Sequence, residues 1–198
     1  MNQPILRQKI AILGDGVTGK SVQKKAQELN IECVKANEAD LMVVSPGIPP
    51  EKYPKTKAEI ISEVEYAYRL FQNTPTPPKI IGVTGTNGKS TVTRLLAHLL
   101  QAPEAGNIGT PLIELVDKNH PIIVVELSSY QLEKTHVFRP KIAIMLSITP
   151  DHLFRHKTMK EYAQQKAKIT QNQGPKDHLI YDQEDLFIKS SIQGSLAI

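Results

Sequence analysis

The chain has 198 residues, 40% hydrophobic and 22% charged, the balance of a folded globular protein long enough for one large or two small domains. Its 24 basic residues against 20 acidic leave a net charge of +4, too small and too scattered for a nucleic-acid surface; the one local cluster is Arg155, His156, Lys157 and Lys160. A single cysteine, Cys33, excludes a disulfide framework and a cysteine metal centre and is expected in the core, while the lack of any apolar run near ~18 residues and of a secretory core after Met1-Asn2-Gln3-Pro4 points to a cytoplasmic protein with no membrane partner.

Residues 9–13 (Lys-Ile-Ala-Ile-Leu) read as a buried strand, and Val22, Ala26 and Leu29 mark one face of the helix that follows. Between them lies Gly14-x-Gly16-x-x-Gly19, the dinucleotide fingerprint in its proper context, with Glu32 near enough to be its acidic ribose partner. The loop suits NAD, the pyrophosphate of another nucleotide such as a UDP-sugar, or a tight strand-to-helix turn. Short strands are expected at 31–34 and 41–44, then a loop at Ser45-Pro46-Gly47-Ile48-Pro49-Pro50. Residues 58–72 fit a helix with Ile60, Ile61, Val64, Tyr68 and Phe71 on one side. The Pro-rich stretch 73–78 is a stiff linker, so the domains are drawn as 1–74 and 75–198.

The second part opens with a strand at 79–84 and the loop Gly85-Thr86-Asn87-Gly88-Lys89-Ser90-Thr91, ahead of a helix at 89–101 with Val92, Leu95, Leu96 and Leu99 as its inner face. Small residues let backbone amides close around an anion, Lys89 adds a point charge, and the Ser90 hydroxyl can meet Mg²⁺ at a helix N-terminus. The strict Walker spacing fails, because Val83 stands where glycine is required. The continuous apolar run 122–127 is a strand buried on both faces, ending at Glu126, which holds a cation or simply meets solvent there. A strand at 142–148 leads to Thr149-Pro150-Asp151-His152, where His152 could bind metal or phosphate. In a helix at 158–170, Met159, Tyr162, Ala163 and Ile169 form an apolar stripe that includes Lys166. That lysine either snorkels to water or keeps a desolvated, reactive amine near the phosphate loop. A strand at 178–181 follows, and His98, His120, His136, His156 and His178 are expected to be surface or helix-face residues. Strands alternating with helices give an α/β fold with ligands at the carboxyl ends of parallel strands: a small Rossmann-like N-terminal domain, then a P-loop-type nucleotide-binding domain with a mainly parallel sheet.

In order and context, Thr84 to Thr91, Ala105-Gly106-Asn107-Ile108-Gly109, Glu126-Leu127-Ser128-Ser129-Tyr130-Gln131-Leu132-Glu133 and Asp151-His152-Leu153 resemble the Mur ligases, the members that add D-glutamate above all. The resemblance implies a monomeric, cytoplasmic, ATP- and Mg²⁺-dependent ligase of peptidoglycan precursor synthesis, joining D-glutamate to UDP-N-acetylmuramoyl-L-alanine through an acyl phosphate. It places Thr86, Asn87, Gly88, Lys89, Ser90, Thr91 and Val92 on ATP. Ser90 and Glu126 would hold one Mg²⁺, and His152 with a carbamylated Lys166 the second. Asn107, Ser128 and Gln131 would meet the muramoyl substrate, while Val17, Thr18, Ser45 and Gly47 lie at its uridine diphosphate end.

Three departures qualify that picture. The family is longer, so the central domain is expected to be incomplete and a C-terminal domain absent, with negligible ligation by these 198 residues alone. The first domain is short between Glu32 and Asp40. Phe154 occupies the second aspartate position of an Asp-His-x-Asp-Arg pattern. A non-catalytic nucleotide- or UDP-sugar-binding remnant is the alternative, followed by an NAD-binding oxidoreductase.

Overall fold

The computed structural model describes residues 5–192, so both chain ends of the expected domains, 1–4 and 193–198, lie outside the described residues. Two parallel sheets make up the frame. The first has three strands in sequence order, β1 (Ile10–Leu13), β2 (Leu41–Val44) and β3 (Glu59–Ser62). The second contains β4 (Lys79–Thr84), β5 (Glu104–Gly106), β6 (Ile122–Glu126), β7 (Ile142–Met145) and β8 (His178–Tyr181), ordered β5-β6-β4-β7-β8. All its neighbours are parallel, with β4 at the centre, so every loop after a strand opens on the same edge.

Alternation of side chains sorts the strands into two faces. Ile80, Ile123, Val125 and Met145 join Ile10, Leu41, Val43 and Ile61 of the first sheet in one continuous core. Ile81, Val83, Val124 and Ile144 face the other way, onto α3 (Lys89–Leu100). Helices α1 (Val17–Glu28) and α2 (Glu63–Phe71) complete the first part, while α4 (Ser129–Glu133), α5 (Leu153–His156), α6 (Met159–Ala167) and α7 (Leu186–Ile192) belong to the second.

Buried carboxylates of α2 join the two sheets. Glu65 accepts the backbone N–H groups of His136, Val137 and Phe138 at 2.9–3.1 Å and Arg69 Nε at 2.7 Å. Glu63 accepts the Ile113 N–H at 2.6 Å; burial pushes its pKa up to about 7, against the pull of that amide.

Several expectations are corrected. Residues 31–34 are not a strand: Cys33 makes one isolated bridge to Ile10 before the Lys35–Glu38 turn draws the chain off the edge. Cys33 is therefore exposed, not in the core. The helix expected at 58–72 begins only at Glu63, since residues 59–62 pair with β2 and Ser62 then caps α2 by accepting the Glu65 N–H. In α3 the buried positions are Thr93 and Ala97, while Leu95 and Leu99 are 54% and 66% exposed. The buried side is thus rotated away from the centre of the leucine arc. The strands at 122–127 and 142–148 end early, at Glu126 and Met145, and the helix at 158–170 tightens into a 3₁₀ turn at Lys168–Thr170.

Candidate functional site

The loop after β4 is shaped by two glycines with positive φ. Gly85 has φ +143°, and a Cβ there would lie 2.6 Å from the Leu146 Cβ. Gly88, φ +81°, is the N-cap of α3, and no side chain caps that helix end. Asn87 and Gly88 are exposed, so the free amides of the first turn are open to a ligand. Beneath them the loop is pinned. Thr86 Oγ1 donates to the Thr149 carbonyl at 3.1 Å, accepts the Thr149 N–H at 3.0 Å and lies 3.3 Å from the Tyr162 hydroxyl.

Two ammonium groups hold the loop's carbonyls. Lys89 Nζ donates to Thr86 O at 2.8 Å. Lys166 Nζ donates to Gly85 O at 2.6 Å and sits 4.6 Å over the Tyr162 ring. At 1% exposure Lys166 does not snorkel. Burial lowers its pKa to about 7, with Lys89 pushing the same way and Asp151 and Glu126 opposing.

Glu126, 1% exposed, ends β6 beside the loop. Its Oε1 accepts Asn107 Nδ2 at 2.8 Å, while Oε2 is buried with no hydrogen-bond partner. Asn107 arrives there because Gly106 of β5 pairs with Glu126, at a contact too close for any Cβ. An unpartnered buried carboxylate oxygen suits a hard cation. Among the described residues no three His, Cys, Asp or Glu side chains cluster as a metal centre. A cation here would take one carboxylate and complete its shell with phosphate oxygens and water, the usual habit of Mg²⁺.

His152, half-buried, has φ +52° and packs near the rings of Tyr130 (5.0 Å), Phe154 (6.1 Å) and Tyr162 (6.2 Å). Phe154 itself is 87% exposed. Ser128 and Gln131 form a reciprocal capping box at the start of α4, so the Ser128 hydroxyl and the Gln131 carbonyl are engaged with each other. His156, expected at the surface or on a helix face, takes the second place: it is buried in α5, with Nε2 2.9 Å from Ser129 Oγ and its ring between those of Tyr130 and Tyr162. Burial lowers its pKa. The signal in the sequence was its place four residues after His152, one helical turn along the same face.

In the first sheet, Gly14 has φ +117°, and a Cβ on Gly19 would lie 1.9 Å from the Gly14 carbonyl oxygen, so both glycines serve the close strand-to-helix turn. A cavity of about 350 Å³ opens there, lined by Gly14, Asp15, Gly19, Lys20, Gln23 and Cys33 among others. Glu32 is not among its lining residues and pairs instead with Lys9 at 3.2 Å, leaving the NAD ribose reading without its carboxylate. Val17 is 71% exposed, Thr18 and Ser45 are half-buried, and Gly47 is exposed. These four stand on the same edge as the phosphate loop only in the sense that both follow strand ends; the cavity is not lined by them.

Residues 83–196 match the Mur ligase middle domain. The chain is 40% identical over 166 residues to UDP-N-acetylmuramoylalanine–D-glutamate ligase of Clostridioides difficile (strain 630), covering 78% of this chain and 36% of that protein. Against the same-named protein of Pelotomaculum thermopropionicum it is 44% identical over 158 residues, covering 74% of this chain and 34% of that protein. It thus spans about a third of the length of these curated relatives. In fold it is similar to the crystal structure of MurF ligase from Thermotoga maritima in complex with ADP, at TM-score 0.55 and 16% identity, over 98% of this chain and 50% of that one.

Proposed function

The chain belongs to the Mur ligase family, and on that premise we propose that it is the nucleotide-binding part of a ligase joining D-glutamate to UDP-N-acetylmuramoyl-L-alanine at the expense of ATP. One observation carries the reading: the uncapped start of α3, Lys89, the buried Lys166 and the unpartnered Glu126 oxygen converge on one loop at the centre of the sheet. The names of the relatives supply the substrates. Thr86 to Val92 would cradle the phosphates, the amides giving hydrogen bonds and Lys89 a charge that leaves Thr86 O for the γ-phosphate.

Glu126 Oε2 and the Ser90 hydroxyl would hold one Mg²⁺, and His152 with Lys166 a second; the ion supplies charge neutralisation on the phosphate oxygens. An amine with a pKa about 7 is largely neutral just above neutrality and attacks CO₂, forming an N–C bond and releasing a proton to solvent. The resulting carbamate is anionic and retains one N–H for the Gly85 carbonyl. Asn107, Ser128 and Gln131 would orient the muramoyl end, and Val17, Thr18, Ser45 and Gly47 the uridine diphosphate. The substrate carboxylate would attack the γ-phosphorus, ADP would leave, and the D-glutamate amine would then displace phosphate from the acyl phosphate.

This work is assigned to a cytoplasmic monomer acting on water-soluble precursors. No helix among the described residues is long and apolar enough to cross a membrane. Titration calorimetry with a non-hydrolysable ATP analogue and Mg²⁺ tests the reading. Binding by the wild type, weakened at least about tenfold in Lys89→Ala, supports it. A well-folded wild type that takes up no analogue refutes it.

A further inference from the structure

Three pieces from distant stretches of sequence meet here: the loop 45–50 after β2, helix α4, and helix α5, whose N-cap is His152. Two consecutive residues of α5 tie them together. Arg155 grips Glu133, the last residue of α4, with a fork: Nε to Oε1 at 3.0 Å and Nη2 to Oε2 at 2.7 Å. Its guanidinium lies 5.0 Å over the Tyr130 ring and turns both terminal nitrogens toward the Ile48 carbonyl, each at 3.5 Å. Both members of the pair are only 12% exposed. His156 meanwhile holds Ser129, the first residue of α4, through the 2.9 Å contact between Nε2 and Oγ. Helix α4 is therefore held at both ends by one dipeptide.

We propose that Arg155 and His156 are positioning residues, a clasp that keeps α4 and the Ile48 turn in register with His152. The fork needs arginine. A planar guanidinium can face a carboxylate, a ring and a carbonyl at once, whereas an ammonium makes one point contact. The proposal rests on the ligase reading for the identity of the ligands, but not for the clasp itself.

Amide hydrogen exchange on the ligand-free chain tests the clasp, and calorimetry tests its consequence. Wild type is compared with Arg155→Lys, with Glu133→Gln, which opens the same fork from the other side, and with His156→Phe, which keeps a ring in the stack. In Arg155→Lys and Glu133→Gln, exchange should rise at least about tenfold in α4 and in residues 45–48, and stay unchanged in β4 and the phosphate loop. His156→Phe should loosen α4 without loosening 45–48. Affinity for UDP-N-acetylmuramoyl-L-alanine should fall about tenfold in Arg155→Lys, with affinity for the ATP analogue held within about twofold. Exchange that is unchanged, or raised evenly along the chain, overturns the clasp, as does equal weakening of both ligands. A wild type that binds neither ligand refutes the ligase reading, and the exchange pattern then still decides the clasp.

Discussion

Replacing Lys166 with methionine isolates the cost of holding an amine in the interior. The folded protein lowers the Lys166 pKa from its ordinary 10.5 to about 7. The unfolded chain therefore binds more protons than the folded one throughout that window, and stability contributed by this group rises with pH from about 7 to 10.5 and is lost as pH falls through 7. The slope reaches about 1.36 kcal/mol per pH unit only once pH clears the folded value, so wild type should gain on the order of 2 kcal/mol between pH 7 and 9 that the variant does not. Methionine keeps an unbranched stem beside Tyr162 and carries nothing to titrate. Urea unfolding of both proteins at pH 6, 7 and 9 in CO₂-free buffer gives the comparison. If the difference between them is flat from pH 7 to 9, the amine titrates as a solvated lysine, and the argument from its burial falls.

Other outcomes follow from the same geometry. Glu126→Gln keeps an acceptor for Asn107 but removes the charge on the unpartnered oxygen. It should abolish the Mg²⁺ dependence of ATP-analogue affinity in calorimetry while leaving unfolding free energy within about 1 kcal/mol of wild type. Glu65→Ala leaves three backbone amides without their acceptor, that of Phe138 buried, and takes one of the two carboxylate partners of Arg69. A loss of about 3–5 kcal/mol in urea unfolding is expected, and a loss under ~1 would contradict the role given to that carboxylate. Gly85→Ala places a Cβ against Leu146 at a φ of +143°. It should lower stability by about 2–4 kcal/mol, measured by thermal melting, and weaken the ATP analogue with it.

Where one physical cause dominated, the sequence was readable. The strand at 79–84, its loop and the start of α3 followed from glycine placement and an apolar run, and Lys166 was found by helical spacing within the stripe Tyr162, Ala163, Ile169. Where two causes fit one pattern, it was not. Ile60 and Ile61 satisfy a helix face as well as a strand, and only pairing with β2 decides between them. The leucines of α3 lie on one arc of the helix, but the sheet takes the edge of that arc at Thr93 and Ala97 rather than its centre. Strand β5 is three residues long and exists because β6 offers it an edge. His156 looked like part of a basic surface cluster, and its burial depends on Ser129, 27 residues earlier, and on two tyrosine rings. The roles assigned to Val17, Thr18, Ser45 and Gly47 rest on sequence resemblance, since the first-sheet cavity is lined by other residues.

The carboxylates of α2 also set a timetable for synthesis. Glu63 and Glu65 find their partners 50 and 71–73 residues later in the chain. At a ribosomal pace of about 5–20 residues per second, the nascent helix waits roughly 4–14 seconds before the amides at 136–138 have even been made. During that interval Glu63 lacks its amide, and the part of α2 that meets Leu112–Leu115 stays uncovered until those residues are made. The first sheet is thus a half-built interface while it emerges.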